Sequence, residues 1–177
     1  LFTQLRFGKW NDILKEQVVD SLAHTPVLQY FARGVAFAKT NQLAKAKESL
    51  ELMKTKMTEP VLKEPLAPFN AAYDGALVAQ HILEGVIASE EKDYKNAIAH
   101  FQQAVSNEDK LIYTEPRDWL LPARQYLGDA LIKAGKFNEA IVVFNKDLEI
   151  NPNNGWSLTG IATCYKALNN KTSLAVA

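Results

Sequence analysis

Gly135-Lys136-Phe137-Asn138-Glu139-Ala140-Ile141 decides how this chain folds, because the same phrase returns three more times. Gly8-Lys9-Trp10-Asn11-Asp12-Ile13-Leu14, Asn41-Gln42-Leu43-Ala44-Lys45-Ala46-Lys47 and Lys92-Asp93-Tyr94-Lys95-Asn96-Ala97-Ile98 follow its order. Each has a breaker or polar residue, a large apolar residue two later and usually a small residue three further on. This spacing predicts a tight turn between two helices. The large residue plugs the end of the hairpin, and the small one lets two backbones approach closely. Helical periodicity flanks the turns: Tyr30, Gly34 and Phe37 precede one, and Ala46, Leu50 and Met53 follow it at i, i+4, i+7 spacing. The alternation of a strand is missing.

Working outward, Leu127-Gly128, Leu131, Ala140, Phe144 and Pro152 form an ordered set between Arg124 and Pro152. The preceding unit shows Gly85, Tyr94, Ala97, Phe101 and Ala104, and an earlier one Tyr30, Gly34, Phe37, Ala46, Leu50 and Met53. A last unit offers Leu158, Ile161, Ala162 and Tyr165. These residues resemble the tetratricopeptide repeat, whose pattern of a large residue, Leu-Gly, Tyr, then Ala, Phe and Pro recurs over about 34 residues. Arg124 and His81 stand where the family carries its leading aromatic residue. The stretch from Tyr113 to Leu158 is further similar to the C-terminal part of long bacterial repeat proteins of undefined role. The resemblance implies an all-α fold, an α-α superhelix built as a right-handed solenoid of helical hairpins.

Aligned on Gly34, Gly85, Gly128 and Ala162, the register advances by 51, 43 and 34 residues, and only the last step is the family's period. The surplus is expected in two irregular insertions, 58–68 with Pro60, Pro65 and Pro68, and 107–117 with Pro116, because proline forbids continued helix. The chain 1–177 is then one array. Residues 8–22 form the second helix of a unit whose first helix lies upstream, 27–57, 69–106 and 118–152 are repeats, and 153–177 is a partial last repeat. One hairpin cannot hide its apolar face alone, so stability comes from stacking. Beginning at Leu1 without an initiating Met, the sequence reads as a segment of a longer protein whose uncovered ends favour self-association.

Composition removes several function classes. Lys plus Arg equals Asp plus Glu at 20 each, so no broad basic field exists to attract nucleic acid. No apolar run reaches the roughly 20 residues that span a bilayer. Cys164 is a lone cysteine and says nothing about compartment; any targeting signal would lie upstream. His24, His81 and His100 show no ligand spacing such as H-x3-H, so neither metal nor cofactor is expected. No nucleophile-base pairing or phosphate loop appears either, and the chain reads as non-catalytic.

The expected function is protein or peptide binding on the concave face, which the first helix of each unit lines. The register nominates Leu28, Phe31, Val35, Lys39, Ile82, Val86, Ser89, Gln125, Asp129, Lys133, Trp156 and Thr159 as that groove. The resemblance extends to carboxylate-clamping members, which use Lys, Asn and Arg there, but Phe31, Val35, Ile82 and Val86 occupy those places. The expected ligand is an extended or helical peptide, or the missing part of the chain itself. Tyr113, Glu115, Trp119, Arg124 and Asn154 form a second candidate, a pocket at the rim, since Trp, Tyr and Arg are favoured anchors. The competing structural reading has Asp118 capping the next helix, Pro122 in its first turn and the tryptophans plugging the gap. The alternative function is an accessory domain that packs on a catalytic domain outside this segment and completes its substrate site.

Overall fold

The computed structural model describes residues 1–19, 24–65 and 68–169. Among them the chain forms nine α-helices and no strand: α1 Phe2–Arg6, α2 Trp10–Lys15, α3 His24–Lys39, α4 Leu43–Lys56, α5 Ala72–Glu90, α6 Tyr94–Glu108, α7 Ala123–Lys133, α8 Phe137–Ile150 and α9 Gly155–Ala167. Consecutive helices pair as hairpins. The first helices α3, α5, α7 and α9 pack on one another in order, and α4, α6 and α8 each pack on the first helix of the following unit. These are the hairpins expected from the repeated phrase, stacked in the superhelix that the resemblance implied.

The phrase itself is a helix stop written in backbone conformation. Gly8, Asn41, Lys92 and Gly135, each two residues before the large apolar side chain, are left-handed, with φ of 64°, 61°, 63° and 74°. The next residue then donates its N–H to the carbonyl five positions back: Lys9 to Gln4, Gln42 to Phe37, Asp93 to Ala88 and Lys136 to Leu131, at 2.8–2.9 Å. That bond closes the Schellman motif and satisfies a carbonyl the ending helix would leave unpaired. The following helix starts at once with Trp10, Leu43, Tyr94 or Phe137.

Close packing follows from the small residues. In α8, Ala140, Phe144 and Asp147 are buried along one face. The Phe144 ring lies against both Gly128 of α7 and Gly160 of α9, and a methyl group on either glycine would overlap it. Phe101 fills the same notch at Gly85 one unit earlier. Gly34 differs, because its nearest neighbour is Leu83 of α5 and not a residue of its own hairpin. In the last unit Gly160, two residues before Ala162, faces the ring.

The first hairpin departs from expectation. A short α1 precedes its Gly8 turn, and α2 ends at Lys15, with Glu16 extended, well before residue 22. Side chains of α3 satisfy the backbone that leaves the helix: Arg33 donates to the carbonyls of Glu16 at 2.8 Å and Leu14 at 3.4 Å, and Gln29 accepts from the Val19 N–H at 2.8 Å. Residues 20–23 lie outside the described residues, as do 170–177 of the last repeat. The connection after α4 holds a 3-10 turn, Pro60–Lys63, that buries Leu62.

Two consequences are testable by urea denaturation. Gly128→Ala should lower stability by about 1–3 kcal/mol through overlap with the wedged Phe144, although alanine is the better helix former. Gly75→Ala, in α5 with open space around its Cα, should instead raise it by up to about 1 kcal/mol; equal signs would contradict the notch. Lys92→Gly should likewise gain about 1 kcal/mol by relieving the left-handed backbone, and Gly135→Lys should lose a similar amount.

Candidate functional site

The nominated concave face is not an open groove. Phe31, Val35, Ile82, Val86, Ser89 and Gln125 are buried, in first helices that pack directly on each other. Phe2 meets Trp119 edge-on, with ring centroids 5.5 Å apart, and Phe31 packs on the same indole at 5.6 Å. Arg6 donates from Nη1 to Gln125 Oε1 at 2.7 Å and lies 4.2 Å from the ring centre of Trp156, which Phe7 also touches. The superhelix therefore curls until its first hairpin touches the α7/α8 unit and α9. Leu28 stays half-buried, whereas Lys39, Asp129, Lys133, Trp156 and Thr159 are exposed. Lys39 pairs with Glu90 at 2.6 Å, and Lys133 with Asp129 at 2.8 Å.

What remains open is the side where the two long connections meet. Asn70 joins them: its Nδ2 donates to the Ile112 carbonyl at 2.9 Å and to Asp118 Oδ2 at 2.7 Å, while its Oδ1 accepts from the Ile112 N–H at 2.8 Å. Asp118 is thus held by Asn70 and does not cap α7. Pro122 occupies the α7 cap position, and the Ala123 N–H donates at 2.8 Å to Glu108 from the end of α6.

Three hollows converge on this junction. One of about 390 Å³ is mostly apolar, walled by Val27, Leu28, Leu62, Phe69, Ala76 and Trp119. A second, of about 230 Å³, lies beyond Trp119 and is walled by Glu108, Asp109, Tyr113, Arg117, Arg124 and Asn151. The third is a cleft between Tyr73, Leu77, Leu111 and the Asn70–Ile112 bridge. Phe69, Ile112 and Tyr113 stand around them, each more than half exposed.

The polar hollow explains the residues that break the repeat pattern. Arg124 is 9% exposed and forks onto Asp109 with both contacts at 2.7 Å. Asp147 is fully buried and accepts from Gln125, Asn151 and Ser157. Arg117 donates to Asn151 Oδ1 at 2.9 Å and lies over the Tyr113 ring. Of the proposed rim set, Tyr113, Trp119 and Arg124 line this hollow. Glu115 is exposed and not among the lining residues, and Asn154 caps α9 by accepting from the Trp156 and Ser157 N–H groups.

Two stretches of the chain, residues 81–110 and 122–154, match models of the tetratricopeptide repeat. The chain carries tetratricopeptide repeats in these two stretches. Each stretch contains one glycine notch with its phenylalanine, Gly85 with Phe101 and Gly128 with Phe144. No curated protein matches the chain in sequence. Among solved structures, MamA AMB-1 shares the fold at 21% identity with a TM-score of 0.53, over 97% of this chain and 87% of that one. MamA MSR-1, also 21% identical over 97% and 84% of the two chains, superposes less closely, with a TM-score of 0.49.

Against the repeat pattern, the polar core was the feature missed in the sequence. Gln125 and Asp147 occupy the places that Ile82 and Ala104 hold one unit earlier, and those two apolar-to-polar changes are the signal that could have revealed it. Cys164 is buried, and that burial raises its thiol pKa, so nothing prepares it as a nucleophile. Among the described residues one group, His81, Glu84 and His100, could hold a metal ion; the i, i+3 pair on α5 was readable, but its meeting with α6 was not.

The Glu108 carboxyl has its pKa pushed from 4.5 up to about 7 by burial, against the opposing pull of the Ala123 N–H and Arg124. A proton is therefore held more tightly in the folded chain, and this stabilisation, complete below about pH 4.5, is lost as pH rises through about 7. Glu108→Gln keeps an acceptor for the Ala123 N–H without the charge. It should raise neutral-pH stability by roughly 2 kcal/mol and flatten the melting-temperature profile over that window; parallel profiles for the two proteins would contradict the assignment.

Proposed function

We propose that this repeat protein is a non-catalytic scaffold that holds a protein segment at the junction of its two long connections. The observation that carries the reading is the Asn70 bridge. It fixes one connection against the other while Phe69 remains exposed beside an apolar hollow of about 390 Å³, and Ile112 and Tyr113 remain exposed at the hollow beyond Trp119. Exposed apolar side chains clustered around a hollow mark an interaction surface. The ligand that fits is a peptide segment presenting an apolar side chain to Val27, Leu28 and Trp119, with backbone groups in reach of Asp118 and Asn70.

Arg6, Phe2 and Phe7 occupy the inner side of the superhelix, which favours this outer junction over the concave face. Among the described residues no helix is long and apolar enough to cross a membrane. A partner captured by the whole chain should be retained about tenfold less by Phe69→Ala or Tyr113→Ala, with unchanged melting temperature because both side chains are exposed. Val142→Ala, on the exposed face of α8, should retain it fully. Equal capture by all three variants would overturn the reading.

A further inference from the structure

The middle of the α5/α6 hairpin gathers three side chains that hairpin stacking does not call for. His81 and Glu84, one turn apart on α5, bring Nδ1 and Oε2 to 3.1 Å. His100 of α6 brings its Nδ1 to 3.1 Å from the same carboxylate oxygen. The two imidazoles stack with centroids 6.1 Å apart and planes inclined at 29°. One ligand-capable atom from each residue lies within 4.8 Å of the other two.

The carboxylate is oriented from its other oxygen. Gln80 Nε2 donates to Glu84 Oε1 at 3.0 Å and Lys54 Nζ pairs with it at 3.1 Å, leaving Oε2 to the two histidines. Lys54 also reaches Glu51 at 3.4 Å, so its charge is shared between two acids. Burial alone would push Glu84 upward, but hydrogen bonds from His81, Gln80 and Lys54 outweigh it and hold the carboxyl down to about 2.

From this geometry we infer that His81, Glu84 and His100 form a binding site for one divalent transition-metal ion of the zinc type. A tetrahedral ion with bonds of about 2.0–2.1 Å spaces its ligand atoms about 3.3 Å apart, close to the 3.1 Å separations here. Two imidazoles and one carboxylate are a donor set suited to such an ion, with Gln80 and Lys54 as the outer groups that orient the carboxylate. His81 and His100 keep 22% and 38% of their side-chain surface exposed, so the ion can enter from solvent and water can complete its coordination. Each histidine meets the carboxylate through Nδ1, so a bound ion replaces the protons there and cross-links α5 to α6.

The test uses the whole chain with zinc alone as the probe, followed by calorimetry and thermal melting at neutral pH. One ion per chain and a raised melting temperature are expected. Both should disappear in His100→Ala and in His81→Ala, and both should persist in His24→Ala, since His24 lies outside the cluster. Circular dichroism of each variant separates lost binding from lost fold, and His100 is exposed enough to be removed without unfolding. Visible absorption of the cobalt-loaded chain provides a second readout, an intense tetrahedral band that vanishes with Glu84→Gln. Failure of the wild-type chain to take up zinc, or uptake that survives the combined His81→Ala and His100→Ala changes, would overturn the site.

Discussion

A phenyl ring lying against two helix backbones needs a notch on each, and only glycine provides it. Phe144 is set between Gly128 and Gly160, so α8 fixes the distance to its own hairpin partner and to the next unit at once. Burial of such a ring contributes about 1.5–3 kcal/mol, comparable to the roughly 2 kcal/mol that the two mid-helix glycines together cost. The same wedge at Gly85 and Phe101 sets the previous hairpin. With second helices held this closely, each first helix is carried onto the next, and the direction of the whole superhelix follows.

That curvature creates the second constraint, because it brings the first hairpin against the α7/α8 unit and α9. The contact is partly polar: Arg6 reaches Gln125, and Gln125 donates to the buried Asp147, which also takes hydrogen bonds from Asn151 and Ser157. A buried carboxylate is tolerated only when its lone pairs are used in this way. The polar chain thus replaces the oily contact that Ile82 and Ala104 provide one unit earlier, and it ties residues at opposite ends of the sequence into one core. With the inner side filled, the long connections become the exposed, irregular part of the molecule, where loops positioned by a rigid frame ordinarily carry function.

The hairpins were legible because their determinants are local. A left-handed residue two positions before a large apolar one is a complete instruction for stopping one helix and starting the next, and Gly8, Asn41, Lys92 and Gly135 all follow it. The Ala-x3-Phe pairs were legible for the same reason. What could not be read were contacts joining distant segments: Arg6 with Gln125, Asn70 with Ile112, and Glu84 with His100. Phe31 and Ile82, nominated for the groove, belong to the same class, since both are buried in first helices that pack on one another. The early end of α2 was hidden likewise, because its backbone is satisfied by Arg33 and Gln29 of the following helix.

The claim beneath all of this is that one aromatic ring is shared by two helix backbones. Proton NMR reads it directly, since ring currents displace the α-protons of glycines stacked on a phenyl face. The account predicts that Gly128 and Gly160 both show displaced α-proton resonances with cross-relaxation to the Phe144 ring, and that both return toward ordinary positions in Phe144→Leu. Undisplaced resonances, or a displaced Gly128 with an ordinary Gly160, would contradict the joining of neighbouring units through that ring.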